Sequence, residues 1–384
     1  MKRVCIVRQK HWPNKNVVRN ARALVSQGYE VDVFCLRKRG EKARETIQGV
    51  NVHRLPLGFR RGNVLWYLFE YSAFFFLTSL ILSWRSLRKR YQVIEVDTMP
   101  DFLVFITLFP RLLGTKVVLY MYENMPELFI STFKTGPNHI GARLLRFLER
   151  ISAGYAHRVI VSDGIPYKQV LESRGIPGEK ITVVLNVPHD AIFDPQSVDA
   201  TKNGEHFRLI SVSTIVERYG VQTLIRAIPL LVEDIPEIRV DVVGDGEYRP
   251  ELEKLAWELG VVEHVHFAGL VSLESVPSFI IQADIGVMPM LADVGLPNKL
   301  FEYFALGKPS VASALPSLKL AFDESYVLFY EPDDEKDMAR RILELYHSPE
   351  KRASMSSNAQ SFYHNCNWQV MKHEYLKVYE ELLA

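Results

Sequence analysis

Cysteine is scarce. Cys5, Cys35 and Cys366 are the only three in 384 residues. They form no C-x-x-C pair and no Cys/His cluster, which excludes a disulfide framework and a structural zinc site. Cys5 and Cys35 lie inside apolar runs and read as buried thiols, so the chain suits a reducing, cytoplasmic compartment. Long hydrophobic runs are missing too. The most apolar stretch, LWYLFEYSAFFFLTSLILSW (65–84), is interrupted by Glu70, and only 14 uncharged residues run from Tyr71 to Trp84. A spanning helix needs roughly 20. The opening MKRVCIVRQ is too short in its apolar part for a signal peptide and reads as a first strand. No zinc finger, RRM or other recognition signature points to a nucleic-acid partner.

Acidic residues are scarce at one end only. Residues 1–90 hold 19 of the 46 Lys/Arg but five of the 45 Asp/Glu, a net of +14. Residues 91–384 carry the remaining 27 and 40, a net of −13. A basic first quarter invites an anionic partner such as a lipid surface or a pyrophosphate. The apolar run lies inside it, between GFRRGN and RSLRKR. Two readings fit: a buried or half-buried helix, or an interfacial helix over 65–90 with aromatics in the lipid boundary and basic residues on the headgroups.

Strands and helices alternate along the whole chain. RVCIVR, EVDVFCLR, GVNVHRLPL, YQVIEVDT, TKVVLYMYE and HRVIVSDG are β-branched or alternating runs separated by helical sequence. A second series opens at FRLISVSTI and continues through IRVDVVGDGE, HVHFAGLV, ADIGVMPM, KPSVAS and YVLFYEP. Such alternation predicts parallel sheets covered by helices on both faces. The polar segment VLNVPHDAIFDPQSVDATKNGEH (184–206) separates the two series and reads as a linker. The expected fold is therefore α/β, with two doubly wound, Rossmann-like domains facing a cleft. Ligands would sit at the carboxyl ends of the strands.

Four stretches of the second series carry candidate chemistry. In GLPNKLFEYFALGKPSVAS (295–313), Pro297 stands at a helix mouth, where its missing N–H costs nothing. The N–H groups of Asn298 and Lys299 then form a phosphate site, to which Lys299 adds a full charge. Glu302, one turn further, can accept two hydrogen bonds from a diol. The bland alternative is a surface helix with Lys and Glu in solvent. In STIVERYGVQTLIRAI (213–228), Arg218 follows a strand end and can grip a diphosphate bidentately, unless it is a solvated arginine in a turn. In VDVVGDGEYRPELEKLA (240–256), Gly244 and Gly246 let the backbone approach a ligand. The backbone around His266 and Phe267, in HVHFAGLVSLESVPSFI, can meet a base edge.

These stretches, in this order, resemble the C-terminal half of GT-B glycosyltransferases of the retaining family GT4 (group 1). MPDFLVF, PRLLGTKVVLYMYENMPELF, RGIPGEKITVVLNVPHDAIFDP and the closing NWQVMKHEYLKVYEELL extend the likeness over most of the chain. The resemblance implies domains at 1–188 and 189–365, with a last helix within 366–384 crossing back to the first. It implies a metal-independent retaining hexosyltransferase that takes a UDP- or GDP-linked sugar, needs no cofactor, and serves a glycan or lipid-linked acceptor at the inner face of a membrane. Glu302 matches the second glutamate of the family's E-x7-E motif and would bind the ribose. Asn298 and Lys299 would hold the donor phosphates, Arg218 would stabilise the leaving diphosphate, and Gly244, His266, Asp293, Leu296 and Pro297 would line the donor pocket.

The departures fall at particular residues. The first glutamate of E-x7-E falls on Val294, with Asp293 beside it as a substitute. Thr214 and Tyr219 stand where relatives often have Arg and Lys, which leaves the phosphate role to Arg218. Tyr122, followed by Glu123, and Asp97 stand where relatives tend to have His. RQKHWPNKN replaces the Gly-rich loop after the first strand, putting His11 and Trp12 at the acceptor side, as a sugar-facing aromatic or a surface loop. Asp97, Glu123 or Glu127 can orient the acceptor hydroxyl, or each can be a structural carboxylate capping a loop. Two other classes share this fold. A degenerate enzyme could serve as a binding or scaffolding subunit. A sugar-nucleotide epimerase would need catalytic acids and His pairs that the sequence does not offer.

Overall fold

A computed structural model describes residues 2–57, 64–196 and 206–384, with 64–68 as backbone only. The GFRRGN stretch and residues 197–205 of the linker lie outside the described residues. The chain divides into two compact units, one of residues 1–186 with 371–384 and one of residues 187–370.

The N-terminal unit contains β1 (Arg3–His11), β2 (Glu30–Leu36), β3 (Arg44–Ile47), β4 (Val50–Leu55), β5 (Val93–Asp97), β6 (Lys116–Met121), β7 (Arg158–Val161) and β8 (Ile181–Val183). They form one sheet in the order β3-β4-β2-β1-β5-β6-β7-β8. All neighbours run parallel except β3 and β4. Strand order reverses between β1 and β5, so the loops after these strands open the crevice where doubly wound sheets take their ligands.

Side chains alternate across a strand. Cys5, Val7, Ile94, Val96, Val117, Leu119 and Met121 point into one apolar core with Phe74 and Leu82 of the helix Val64–Arg88. The opposite face carries Arg8, Glu95, Asp97 and Tyr120, and it is covered by the last helix, Trp368–Leu383. That helix buries Met371, Tyr375 and Tyr379, a four-residue spacing that puts all three on one side. The Val64–Arg88 helix is apolar on both sides, and its buried side mixes Phe74 and Leu82 with polar residues. Glu70, Thr78 and Ser86 are turned inward and buried, while Phe69, Phe76, Leu80, Trp84 and Leu87 are each 53–69% exposed. Among the described residues no helix is long and apolar enough to cross a membrane.

The C-terminal unit contains β9 (Arg208–Val212), β10 (Arg239–Val243), β11 (Val265–Gly269), β12 (Ile285–Met288), β13 (Ser310–Ser313) and β14 (Val327–Tyr330). Its sheet is parallel throughout, in the order β11-β10-β9-β12-β13-β14. The reversal lies between β9 and β12. Their following loops, 213–220 and 289–297, therefore flank its switch point.

Candidate active site

In the C-terminal unit the backbone builds the site. The loop after β9 passes so close to its neighbours that side chains are excluded. Gly220 has φ +71°, and a Cβ there would stand 1.7 Å from the Pro289 carbonyl oxygen. Gly244 has φ +136°, and its Cβ would stand 1.8 Å from the Ser213 oxygen. No L-residue fits either place without moving backbone. Hydrogen bonds sew the same loops together. Leu291 N–H donates to the Arg218 carbonyl (2.9 Å), Ile215 N–H to Asp245 (3.0 Å) and Gly244 N–H to Gly269 (2.9 Å).

Arg218 lies in the short turn Glu217–Tyr219 at the centre of this arrangement. Its guanidinium carbon is 5.1 Å from the centre of the Tyr219 ring, and its Nε is buried without a hydrogen-bond partner among the described residues. The helix Asn298–Ala305 follows the β12 loop, with Pro297 extended at its N-cap and no side chain capping it. Its first N–H groups are therefore open to an anion. Leu296 is buried just before it. Lys299 and Glu302 are not two independent contacts. Lys299 Nζ donates to both carboxylate oxygens of Glu302, at 2.9 and 3.0 Å, and Glu302 is buried.

Two expected donor residues have their side chains engaged elsewhere. Asp293 accepts from the Ser317 N–H (3.1 Å) and from its hydroxyl, at the start of the helix Pro316–Ala321. The His266 ring is bonded to Asp241 (2.8 Å) and stacked on Phe279. It pairs in register with Asp241, two residues short of the β10 end, so the ring belongs to the sheet edge.

The N-terminal unit uses side chains instead. Asp97 ends β5, is fully buried, and accepts from Arg8 Nη1 at 3.4 Å. Arg8 lies 4.1 Å from the centre of the Tyr122 ring, which stacks on Tyr120 at 4.2 Å and receives a hydrogen bond from Asn20 at 3.4 Å. Burial pushes the Asp97 carboxyl up to about 6, against the pull of Arg8 and of hydrogen bonds from Glu95 and Tyr122. Glu123 is exposed beside this group, and its charge bears on buried Asp163 and on Lys10. Glu127 belongs to a different cluster. It accepts from Arg174 Nη2 at 2.5 Å, and Arg174 also pairs with buried Glu149. Trp12 is buried, which corrects its reading both as a sugar-facing aromatic and as a surface-loop residue.

Arg8, Asn20, Glu95 and Tyr379 are the residues that sequence reading missed. One signal was available. A central strand reading VIEVD puts two acids on one face among apolar neighbours, and such carboxylates require partners.

Comparison with known proteins places these units. Residues 193–362 match the model described as glycosyl transferases group 1, and residues 13–186 match the glycosyl transferase 4-like domain. A GDP-mannose-dependent alpha-(1-6)-phosphatidylinositol monomannoside mannosyltransferase of Mycolicibacterium smegmatis is 36% identical over 115 residues, 28% of this chain and 30% of that protein. A D-inositol 3-phosphate glycosyltransferase of Thermomonospora curvata is 27% identical over 254 residues, 60% of this chain and 58% of that protein. The matched stretches thus span less than two thirds of either relative. Among solved structures, sucrose-phosphate synthase from Thermosynechococcus elongatus superposes with a TM-score of 0.78 at 16% identity, over 100% of this chain and 99% of that one. Anabaena HepE in complex with UDP-glucose gives 0.75 at 15% identity, over 99% and 100%. The fold is GT-B, two Rossmann-like domains in one chain, and the chain belongs to the group 1, GT4-type glycosyltransferase family.

Proposed function

We propose that this protein transfers a sugar from a nucleotide-sugar donor to a hydroxyl of a glycan or lipid-linked acceptor at a membrane surface, with retention of configuration. The observation that carries the donor half is Arg218. Its buried Nε has no partner among the described residues, and it stands in a loop locked to the β12 loop that leads to the uncapped helix at Asn298. Arginine and an open helix terminus together suit a diphosphate. Glu302, set one turn into that helix and neutralised by Lys299, suits a ribose diol. A UDP-glucose complex of a protein of the same fold and a GDP-mannose-dependent relative support the donor class.

The chemistry follows from these charges. The bond from the sugar carbon to the diphosphate oxygen breaks, the acceptor oxygen bonds the same carbon on the same face, and the acceptor proton passes to the departing diphosphate. Arg218, Lys299 and the helix terminus stabilise the developing charge without a metal. Asp97, buried beneath Arg8 and the Tyr122 ring, orients the acceptor hydroxyl through these side chains, with Glu123 exposed beside them. The outward apolar stripe Phe69–Leu87, ending in Arg88, Lys89 and Arg90, supports docking on anionic lipid.

The deciding experiment is a thermal-shift screen of UDP, GDP and ADP with their sugar conjugates, on the wild type and on Glu302→Ala. A ligand that binds only the folded state raises its stability by mass action. A shift with one nucleotide, lost in the variant, is expected. No shift with any of them would shift the assignment to a binding or scaffolding subunit.

A further inference from the structure

The carboxylate beside Asp97 has no place in the mechanism above. Glu95 is fully buried in the central strand β5, two residues before Asp97 and on the same face. Two ionised carboxylates that close in a dry interior repel strongly. The region supplies little to offset this. Arg8 reaches Asp97 Oδ2, and Arg19 bears on the adjoining Tyr120. The remaining titratable neighbours, Cys5 on β1, Tyr120 on β6 and Tyr122 just after it, are all pushed up by burial and stay neutral. Glu95 is held from the other side by the last helix. Tyr379 donates its hydroxyl to Glu95 Oε2 at 2.5 Å, and Tyr375 stands 2.9 Å from the Tyr379 hydroxyl.

Each acid then has one oxygen left over. Glu95 Oε1 and Asp97 Oδ1 are both buried, and among the described residues neither has a hydrogen-bond partner within bonding distance. Two orphaned acceptors on neighbouring side chains are costly apart, and a single proton between them satisfies both. We propose that Glu95 and Asp97 share one proton, and that this pair, clamped by Tyr379 and Arg8, holds Asp97 as the anion that orients the acceptor hydroxyl. Glu95 is a positioning residue that carries the proton. The last helix thereby becomes part of the acceptor site, because its Tyr379 fixes the far oxygen of the pair. The titration directions agree. Burial and the Asp97 charge raise the Glu95 carboxyl well above its ordinary range, while hydrogen bonds from Tyr379 and Tyr375 oppose the rise.

The last clause of the proposal rests on the transferase reading, so its test has an arm that does not. In the infrared difference between wild type and Glu95→Gln at neutral pH, the C=O stretch of a protonated carboxyl should appear in the wild type and be missing in the variant. Its absence from the difference spectrum, where other protonated carboxyls such as Asp101 cancel, would overturn the shared proton whether or not any sugar is transferred. The second arm is the pH profile of kcat on the full-length protein. The wild type should show an acid limb near 6 from Asp97 and an alkaline limb where Glu95 loses the proton and two anions face each other. Glu95→Gln, which cannot ionise, should lose the alkaline limb. Tyr379→Phe removes a hydrogen bond that favours the Glu95 anion, so its alkaline limb should move to higher pH. Asp97→Asn should lower kcat about 100-fold across the range. Profiles of identical shape in wild type, Glu95→Gln and Tyr379→Phe would overturn the positioning role. If the wild type transfers no sugar, the function reading fails, and the infrared arm still decides the pair.

Discussion

The two units share one architectural rule and spend it differently. In the C-terminal unit the crevice is built by backbone: Gly220 and Gly244 let three loops close on one another, and an uncapped helix supplies N–H groups. Its perturbed carboxylates, Asp323, Asp337 and Glu344, are all lowered, and they lie at the surface beside hydroxyl, backbone or cationic partners. In the N-terminal unit the crevice is built by buried side chains. Glu95, Asp97, Asp101, Glu149 and Asp163 are all raised, with burial the largest cause in each. Asp32 is the instructive exception within the same unit. Burial would raise it too, but hydrogen bonds from His53, Tyr91 and Asn51 hold it down to about 2. Depth and the donors that reach its oxygens together decide whether a buried acid stays charged. One unit therefore presents fixed dipoles suited to an anionic donor, and the other stores protons on buried carboxyls, one of them beside Asp97.

The severest way to break this contrast is Gly244→Ala. The added Cβ meets the Ser213 carbonyl at 1.8 Å, and φ +136° is strained for any side chain. We expect a loss of about 3 kcal/mol or more, read as a fall in the C-terminal unit's unfolding midpoint, together with loss of nucleotide binding. A variant that folds and binds normally would show that the interlocked loops do not set the donor site.

Arg218→Ala comes next. Removing one charge-stabilising donor in an active site costs on the order of 100- to 1,000-fold in kcat, with a smaller change in donor KM. Arg218→Lys should recover little, because an ammonium cannot reproduce the planar fork. Equal losses in kcat and donor affinity would make Arg218 a ground-state contact.

The third prediction tests the stored protons. Asp101 is pushed up to about 8, first by burial and then by the Glu149 charge, against Arg174. Its folded value lies above the unfolded one, so the folded state holds a proton that the unfolded chain releases. Stability is then highest in acid, falls as pH rises from about 4 toward 8, and flattens above. Denaturant midpoints at pH 5.5, 7 and 8.5 should decline on the order of a few kcal/mol for the N-terminal unit, and Asp101→Asn should flatten the slope. The C-terminal unit, without raised carboxylates among its described residues, should be nearly level across the same range. A slope shared equally by both would dissolve the contrast.

How much of this was legible in the sequence follows the same division. The strands of both series were readable because parallel strands buried on both faces are apolar runs with helical spacers. The edge strand β3 (RETI) and the three-residue β8 escaped, since neither carries a run long enough to show a period. The candidate donor residues were legible as a contiguous motif, because Leu296 to Glu302 lie together at one helix mouth. The Lys299–Glu302 pairing and the Asp293–Ser317 bond were not, because nothing in the spacing says which partner a side chain will choose. The Glu95–Tyr379 contact joins residues 284 apart and exists only once the last helix is laid on the sheet.

The smallest expected effect concerns the outward face of the helix Val64–Arg88. Ordinarily the apolar side of such a helix is buried and the polar side wet; here Phe74 and Leu82 are buried as expected, but Leu80 and Trp84 are outside as well. Substituting Leu80→Asp and Trp84→Asp together removes the Trp84 ring's surface contact with Arg88 but no core packing, so the unfolding free energy should change by about 0.5 kcal/mol per site. Binding to vesicles containing anionic phosphatidylglycerol should nevertheless weaken by about tenfold or more, because two apolar anchors are lost and two charges now face the lipid. Raising the salt should weaken wild-type binding as well, since the basic run 88–90 contributes only within a Debye length of the surface. If instead the substitution leaves vesicle binding intact and abolishes a salt-independent dimer, the stripe is a protein interface. The basic first quarter would then need another anionic partner.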